Sequence, residues 1–178
     1  MTVLELNFWV ALGTVGFQAA SLLLLILYFL KPPALAGMTG ALEKYGILAG
    51  FLVSLAGIIL SLVYSEIYGI IPCGFCWMAR VFLYPQALLF GLALVKRDKG
   101  VADYSIWLSI AGALVTLYHH YLQIGGESVL PCPAAGAVDC AKRFIFEFGY
   151  ITFPLVAFSG FAFLIILMLF VRNSRKEA

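Results

Sequence analysis

The chain alternates long apolar runs with short polar connections. Five runs, at about residues 7–30, 46–65, 77–95, 104–124 and 150–171, each hold the roughly 20 apolar residues that a helix needs to cross a bilayer. Lipid offers the backbone no hydrogen-bond partners, so every run is predicted to be helical, glycines such as Gly57 and Gly112 included. Pro85 removes one backbone donor and is expected to kink its helix. The first run reads as a retained span: nothing basic precedes it and its apolar core is too long for a removable signal.

Composition agrees. The 178 residues are 63% hydrophobic and 11% charged, and the mean hydropathy of +1.04 lies well outside that of a soluble domain. The expected fold class is therefore an all-α integral membrane protein with five transmembrane helices. Lys31, Lys44, Lys96, Arg97, Lys99, Arg172, Arg175 and Lys176 fall on one side of the spans, and only Arg80, Lys142 and Arg143 on the other. The richer side is expected to be cytoplasmic, which puts the N-terminus outside and the C-terminus inside. The net charge of +2 is thus a topology signal; no basic patch points to nucleic acid.

Four cysteines fall on the side expected to be external: Cys73 and Cys76 before the third span, Cys132 and Cys140 before the fifth. Disulfides persist there, and four cysteines allow three connectivities, of which proximity favours 73 with 76 and 132 with 140. A structural staple gains little from closing a two-residue gap, so Cys-x-x-Cys suits redox exchange better. Zinc is the competing reading, with His119 and His120 as further ligands, but the second pair is spaced too widely for a usual zinc site and no metal is expected. Pro131 and Pro133 bracket Cys132 and are expected to hold it extended.

A third helix starting near Cys76 would direct its first-turn N–H groups at that thiol and favour the thiolate. Arg80, one turn on, can act on an anion developing above Cys76, or else snorkel to the headgroups. Of the two histidines at the end of the fourth span, which cannot share a face, His120 is favoured to reach the site. Thiolate, guanidinium and imidazole at a membrane edge suit a quinone, whose oxygens gain negative charge on reduction. Phe75, Trp77, Phe82 and Tyr84 are either a wall of that pocket or interfacial anchors.

The stretch PCGFCWMARVFLYP resembles the signature of the disulfide bond formation protein B family in its BdbC-like branch, through Cys73, Cys76, Trp77, Arg80, Tyr84 and Pro85. YHHYLQ, PCPAAGAVDC and FPLVAF extend the resemblance over about 45–171. It implies a four-helix redox core at 45–171, an extra N-terminal span and cytoplasmic loop at 1–44, and a cytoplasmic tail at 172–178. It also implies a quinone-dependent oxidase, ubiquinone- or menaquinone-linked, that regenerates a thioredoxin-like dithiol oxidase outside the bacterial cytoplasmic membrane. Cys132 would form the mixed disulfide with that partner and Cys140 complete the pair. Electrons would pass to Cys73 and Cys76, with Cys76, Arg80, His119 and His120 near the quinone.

The extra first span has no inherited role, and the second cysteine loop is compact. CAKRFIFEFGY is expected to lie along the membrane surface as a short amphipathic element. Alternatives are an outward carrier of reducing equivalents, a bundle of the vitamin K epoxide reductase type, and a disulfide-stapled or zinc-binding scaffold or transporter. The first needs cysteines reachable from both sides, and a transporter would show internal repeats, which the sequence lacks.

Overall fold

The computed structural model describes residues 2–30, 35–130, 132 and 139–176, with 175 and 176 described by their backbone alone. Five helices carry the chain: α1 (Val3–Leu30), α2 (Ala36–Leu62), α3 (Gly74–Lys96), α4 (Val101–Gln123) and α5 (Phe153–Lys176). All five are long and apolar enough to cross a membrane, and the protein is a multi-pass, all-α membrane protein. With its closing π turn, Val63–Ile67, α2 continues over 32 residues; at about 1.5 Å per residue it outreaches the hydrocarbon core.

Local chemistry sets the boundaries. Cys73 caps α3 in extended backbone, and Arg97 ends the same helix in the left-handed region at φ 54°. Asp98 then accepts the Gly100 N–H at 2.7 Å through its carboxylate, so α3 returns as α4 within four residues. Helix α3 runs unbroken through Pro85. The residue after it, Gln86, donates to the Phe82 carbonyl at 3.2 Å and accepts from Ser105 and Ser109 of α4 at 2.7 and 3.1 Å. Such interhelical bonds inside a membrane bundle contribute about 0.6–2 kcal/mol each.

Helix α5 lies at the centre, packed on α1, α2 and α4. Leu164, Leu167, Met168 and Val171 meet Phe90 of α3 and Ala102 and Ile106 of α4 in the largest apolar cluster. The α4–α5 approach depends on Gly112, where a Cβ would fall 2.5 Å from the Phe161 ring.

The segment expected to form an amphipathic surface element is instead a small hairpin. Strands β1 (Phe146–Glu147) and β2 (Ile151–Thr152) pair antiparallel around Phe148 and Gly149, at φ 52° and 77°. Two successive positive φ values make the primed turn that matches strand twist, and Tyr150 N–H closes it on the Glu147 carbonyl at 3.2 Å. Ile145 and Ile151 point inward while Phe146, Phe148 and Tyr150 stay exposed. Helix order places both cysteine pairs at one end of the bundle, with Lys96, Arg97, Lys99 and Arg172 at the other. Lys31 lies outside the described residues.

Candidate redox site

Helix α3 begins at Gly74, so its first turn serves Cys73 first. The Cys73 sulfur accepts the Cys76 N–H at 3.3 Å, as a helix cap does. This corrects the expectation of a start at Cys76, which would have aimed the helix terminus at that thiol. The two sulfurs stand 2.6 Å apart, close to the ~2.05 Å of a disulfide, so the bond can close with little movement. In the dithiol form the hydrogen bond from the Cys76 thiol pulls the Cys73 thiol well below its ordinary range, to about 5; burial opposes the shift, and His119 and the Cys76 N–H add to it.

Cys132 and Cys140 are joined by a disulfide with a Cα–Cα distance of 6.0 Å, the pairing that proximity favoured. Cys140 is buried in one cluster with Cys73, Phe75 and Leu122, and Cys132 and Cys76 pack against it. Pro131 and Pro133 lie outside the described residues, so their expected effect on Cys132 has no structural counterpart here.

His119 stands between the pairs. Its Nε2 lies 3.0 Å from the Cys140 carbonyl oxygen and 3.6 Å from the Cys73 sulfur; the carbonyl can only accept, so this nitrogen carries the proton. One turn on, Gln123 donates to the Lys142 carbonyl at 2.9 Å. One face of α4 thereby stitches the segment carrying Cys140 to the cap of α3. His120, favoured from sequence, points elsewhere: its Nδ1 pairs with the Thr152 hydroxyl at 2.8 Å. Consecutive helical residues diverge by about 100°, and the inward face is the one shared by Thr116, His119 and Gln123.

Arg80 is buried and does not snorkel. Its Nε donates to the Ser61 hydroxyl at 2.9 Å and its Nη2 to the Ser61 carbonyl at 3.0 Å, and its guanidinium lies 5.0 Å from the Trp77 ring centre. Below the cysteines a cavity of about 150 Å³ opens between α2, α3, α4 and α5, lined at its upper end by Cys73, Cys76, Arg80, His119 and Gln123 and lower down by Gly57, Leu83 and Phe161. An apolar space of about this size accepts a benzene-sized ring. Gln123 Oε1 is buried without a hydrogen-bond partner among the described residues, an acceptor that a ligand hydroxyl would satisfy. Of the two readings of Phe75, Trp77, Phe82 and Tyr84, the pocket wall gains no support, since none is among the lining residues; Phe75 packs on Tyr118 and His119.

The ligand atoms of Cys73, Cys76 and His119 lie within 4.8 Å of one another, a set with the softness and spacing for a thiophilic metal. Cys132, Cys140 and His120, the other ligands of the zinc reading, are not part of it.

The family model for disulfide bond formation protein DsbB matches residues 43–171. Curated relatives carry the same theme in their names. The probable disulfide formation protein C of Halalkalibacterium halodurans is 36% identical over 70% of this chain and 90% of its own length. The disulfide bond formation protein C of Bacillus subtilis is 34% identical over 72% of this chain and 94% of its own. No solved structure matches.

Proposed function

The chain belongs to the disulfide bond formation protein DsbB family, and from that premise we propose that it is a quinone-dependent thiol oxidase that reoxidises a thioredoxin-like dithiol oxidase outside the cytoplasmic membrane. The observation that carries this reading is the placement of His119 between two cysteine pairs above an apolar cavity that reaches down among the helices.

The partner's dithiol reduces the Cys132–Cys140 disulfide, through a mixed disulfide at Cys132, and leaves oxidised. The resulting thiols at Cys132 and Cys140 then pass two electrons and two protons to the Cys73–Cys76 disulfide, which opens to two thiols. Each exchange needs a thiolate attacking a disulfide sulfur; the attacker on the Cys73–Cys76 disulfide comes from Cys132 or Cys140, and the low thiol range of Cys73 makes it a good leaving thiolate. A bound quinone supplies the final acceptor, taking up two electrons and two protons as the Cys73–Cys76 disulfide is restored. The cavity residues suit it: Cys76 and the Arg80 guanidinium face it at the upper end, Gln123 offers an acceptor for a hydroxyl, and the apolar lower part suits a hydrocarbon tail. The redox core is residues 45–171, with 1–44 an added span and loop and 172–178 a tail. Both cysteine pairs lie on the extracytoplasmic side, with the N-terminus outside and the C-terminus inside, as the basic residues argue.

The test is anaerobic. Purified protein is reduced, freed of reductant and mixed with a short-tail quinone, while quinol absorbance and free thiols are followed together. Loss of thiols in pairs as quinol appears, abolished by Cys76→Ser, supports the reading; thiols that persist in excess quinone overturn it.

A further inference from the structure

The family match begins at residue 43, so α1 lies outside it, yet α1 is bound to the redox end by specific polar contacts. A helix that merely filled the membrane beside the bundle would bury apolar residues. Beside the apolar Leu6, Ala11 and Leu27, α1 also buries Asn7, Thr14 and Ser21, seven residues apart along one seam, while Leu4, Trp9, Leu12, Leu22 and Leu23 stay exposed. Thr14 and Ser21 satisfy their hydroxyls on α1's own carbonyls. Asn7 does not: its Nδ2 donates to the Phe144 carbonyl at 3.1 Å, and its Oδ1 accepts from the Tyr64 hydroxyl at 2.7 Å.

Those two partners belong to the two halves of the site. Tyr64 sits on the π turn that ends α2 and leads into Cys73; it is buried against Phe153, with ring centres 4.8 Å apart. Phe144 lies four residues beyond Cys140, and both Tyr64 and Phe144 line the cavity. Leu6, Tyr64 and Ile145 close an apolar cluster around the amide, where an unmet donor or acceptor carries the full cost of desolvation. Further along, Gln18 donates to Ser159 of α5 at 3.1 Å and accepts from the Tyr150 hydroxyl of the hairpin at 3.1 Å, while Phe8 packs edge-on against Phe148. One helix therefore grips both the turn before the first cysteine pair and the segment after the second.

We propose that α1 is a positioning element of the relay: Asn7 holds the segment carrying Cys140 in register with the turn carrying Cys73, and so sets the rate of disulfide exchange between the two pairs. This rests on the relay described above. Exchange requires the attacking sulfur in line with the disulfide, and a misplacement of about 1 Å in such a step costs up to a hundredfold. Oxidation of the Cys73–Cys76 pair draws on the cavity between α2, α3, α4 and α5 but involves one pair alone, so it needs no register between the two.

The two steps separate experimentally in the full-length protein. With quinone absent, one equivalent of dithiothreitol is added to fully oxidised protein, and acid quenching with differential alkylation follows the thiols as they move from Cys132 and Cys140 to Cys73 and Cys76. Fully reduced protein is separately mixed with a short-tail quinone, and quinol formation is timed in a single turnover. Asn7→Leu is expected to slow the thiol migration by tenfold or more and the quinol step by several-fold less. Tyr64→Phe, which keeps the ring and removes only the hydroxyl, is expected to slow migration in the same direction. The double variant should be no worse than Asn7→Leu, because both substitutions break one network. Migration at the wild-type rate in Asn7→Leu, or equal slowing of both steps, overturns the role of α1 and leaves the oxidase reading standing. Failure of thiols to migrate in the wild-type protein overturns the relay, and the role of α1 with it.

Discussion

The Nε2–H of His119 donates to the Cys140 carbonyl oxygen across 3.0 Å, so the imidazole that touches the first cysteine pair also holds the backbone of the second. Removal of this donor in His119→Leu leaves a buried carbonyl unmet, a cost of about 1–3 kcal/mol, and should slow exchange between the pairs by about ten- to a hundredfold. His119→Asn retains an N–H and should restore part of the rate. His120→Leu, which breaks only the contact to Thr152, should leave exchange within a few-fold of wild type. Rapid-quench alkylation of both pairs is the measurement, and equal defects in the two leucine variants would sink the assignment.

Cys73 should remain reactive at acid pH. Its thiol is drawn down to about 5 in the dithiol form, chiefly by the hydrogen bond from Cys76. The thiolate therefore persists as pH falls and is lost only near pH 5, whereas an ordinary thiol, near 8.5, loses it about tenfold per pH unit below that value. Iodoacetamide labelling of Cys73 in fully reduced protein should be flat above about pH 6 by this reasoning. Cys76→Ala removes the donor and should move the midpoint upward. A midpoint near 8.5 in the wild-type protein would show that the Cys76 thiol does not hold the Cys73 sulfur in this way.

Arg80 makes two bonds to the single residue Ser61, a fork that lysine cannot reproduce. Arg80→Lys should therefore behave more like Arg80→Ala than a conservative change would suggest, raising the quinone KM by about tenfold or more, the worth of one charge-assisted bond. Ser61→Ala frees one donor while the carbonyl still accepts another, and its effect should be smaller, within about fivefold. Steady-state kinetics with a soluble quinone analogue decide it; unchanged KM in Arg80→Lys would remove the fork from the explanation.

The reduced protein should bind zinc. Cys73, Cys76 and His119 offer three ligand atoms within 4.8 Å of one another, and oxidation to the Cys73–Cys76 disulfide withdraws two of them. Stoichiometric zinc should therefore protect one pair of thiols from alkylation and stop turnover, with recovery on adding a chelator. Protection that survives Cys76→Ser and His119→Leu together would place the metal elsewhere.

Much of the fold is written in the chain at low resolution. Each apolar run maps to a helix because lipid leaves no alternative, and the disulfide joins the cysteines that sequence proximity paired. What the runs could not specify are choices made by tertiary contacts. The selection of His119 over His120 depends on how α4 is rotated, and that rotation follows from Gln86 bonding Ser105 and Ser109 and from Gly112 admitting Phe161. The start of α3 shifted because a cysteine can cap a helix, a role usually filled by an oxygen-bearing side chain. The hairpin was missed because its turn pairs a positive-φ phenylalanine with the glycine, where Asn or Asp before the glycine would have signalled it. Asn7 passed unremarked as one polar residue near a chain end, and only the fold shows that Tyr64 and Phe144 converge on it.

The chief partner of α1 in the bundle is α5. During synthesis α1 enters the bilayer about 120 residues before α5 exists, and through that interval Gln18 faces lipid with its amide unanswered by Ser159 or Tyr150. A chain that stops short of α5 therefore leaves the Gln18 amide without the Ser159 and Tyr150 partners that the folded protein supplies.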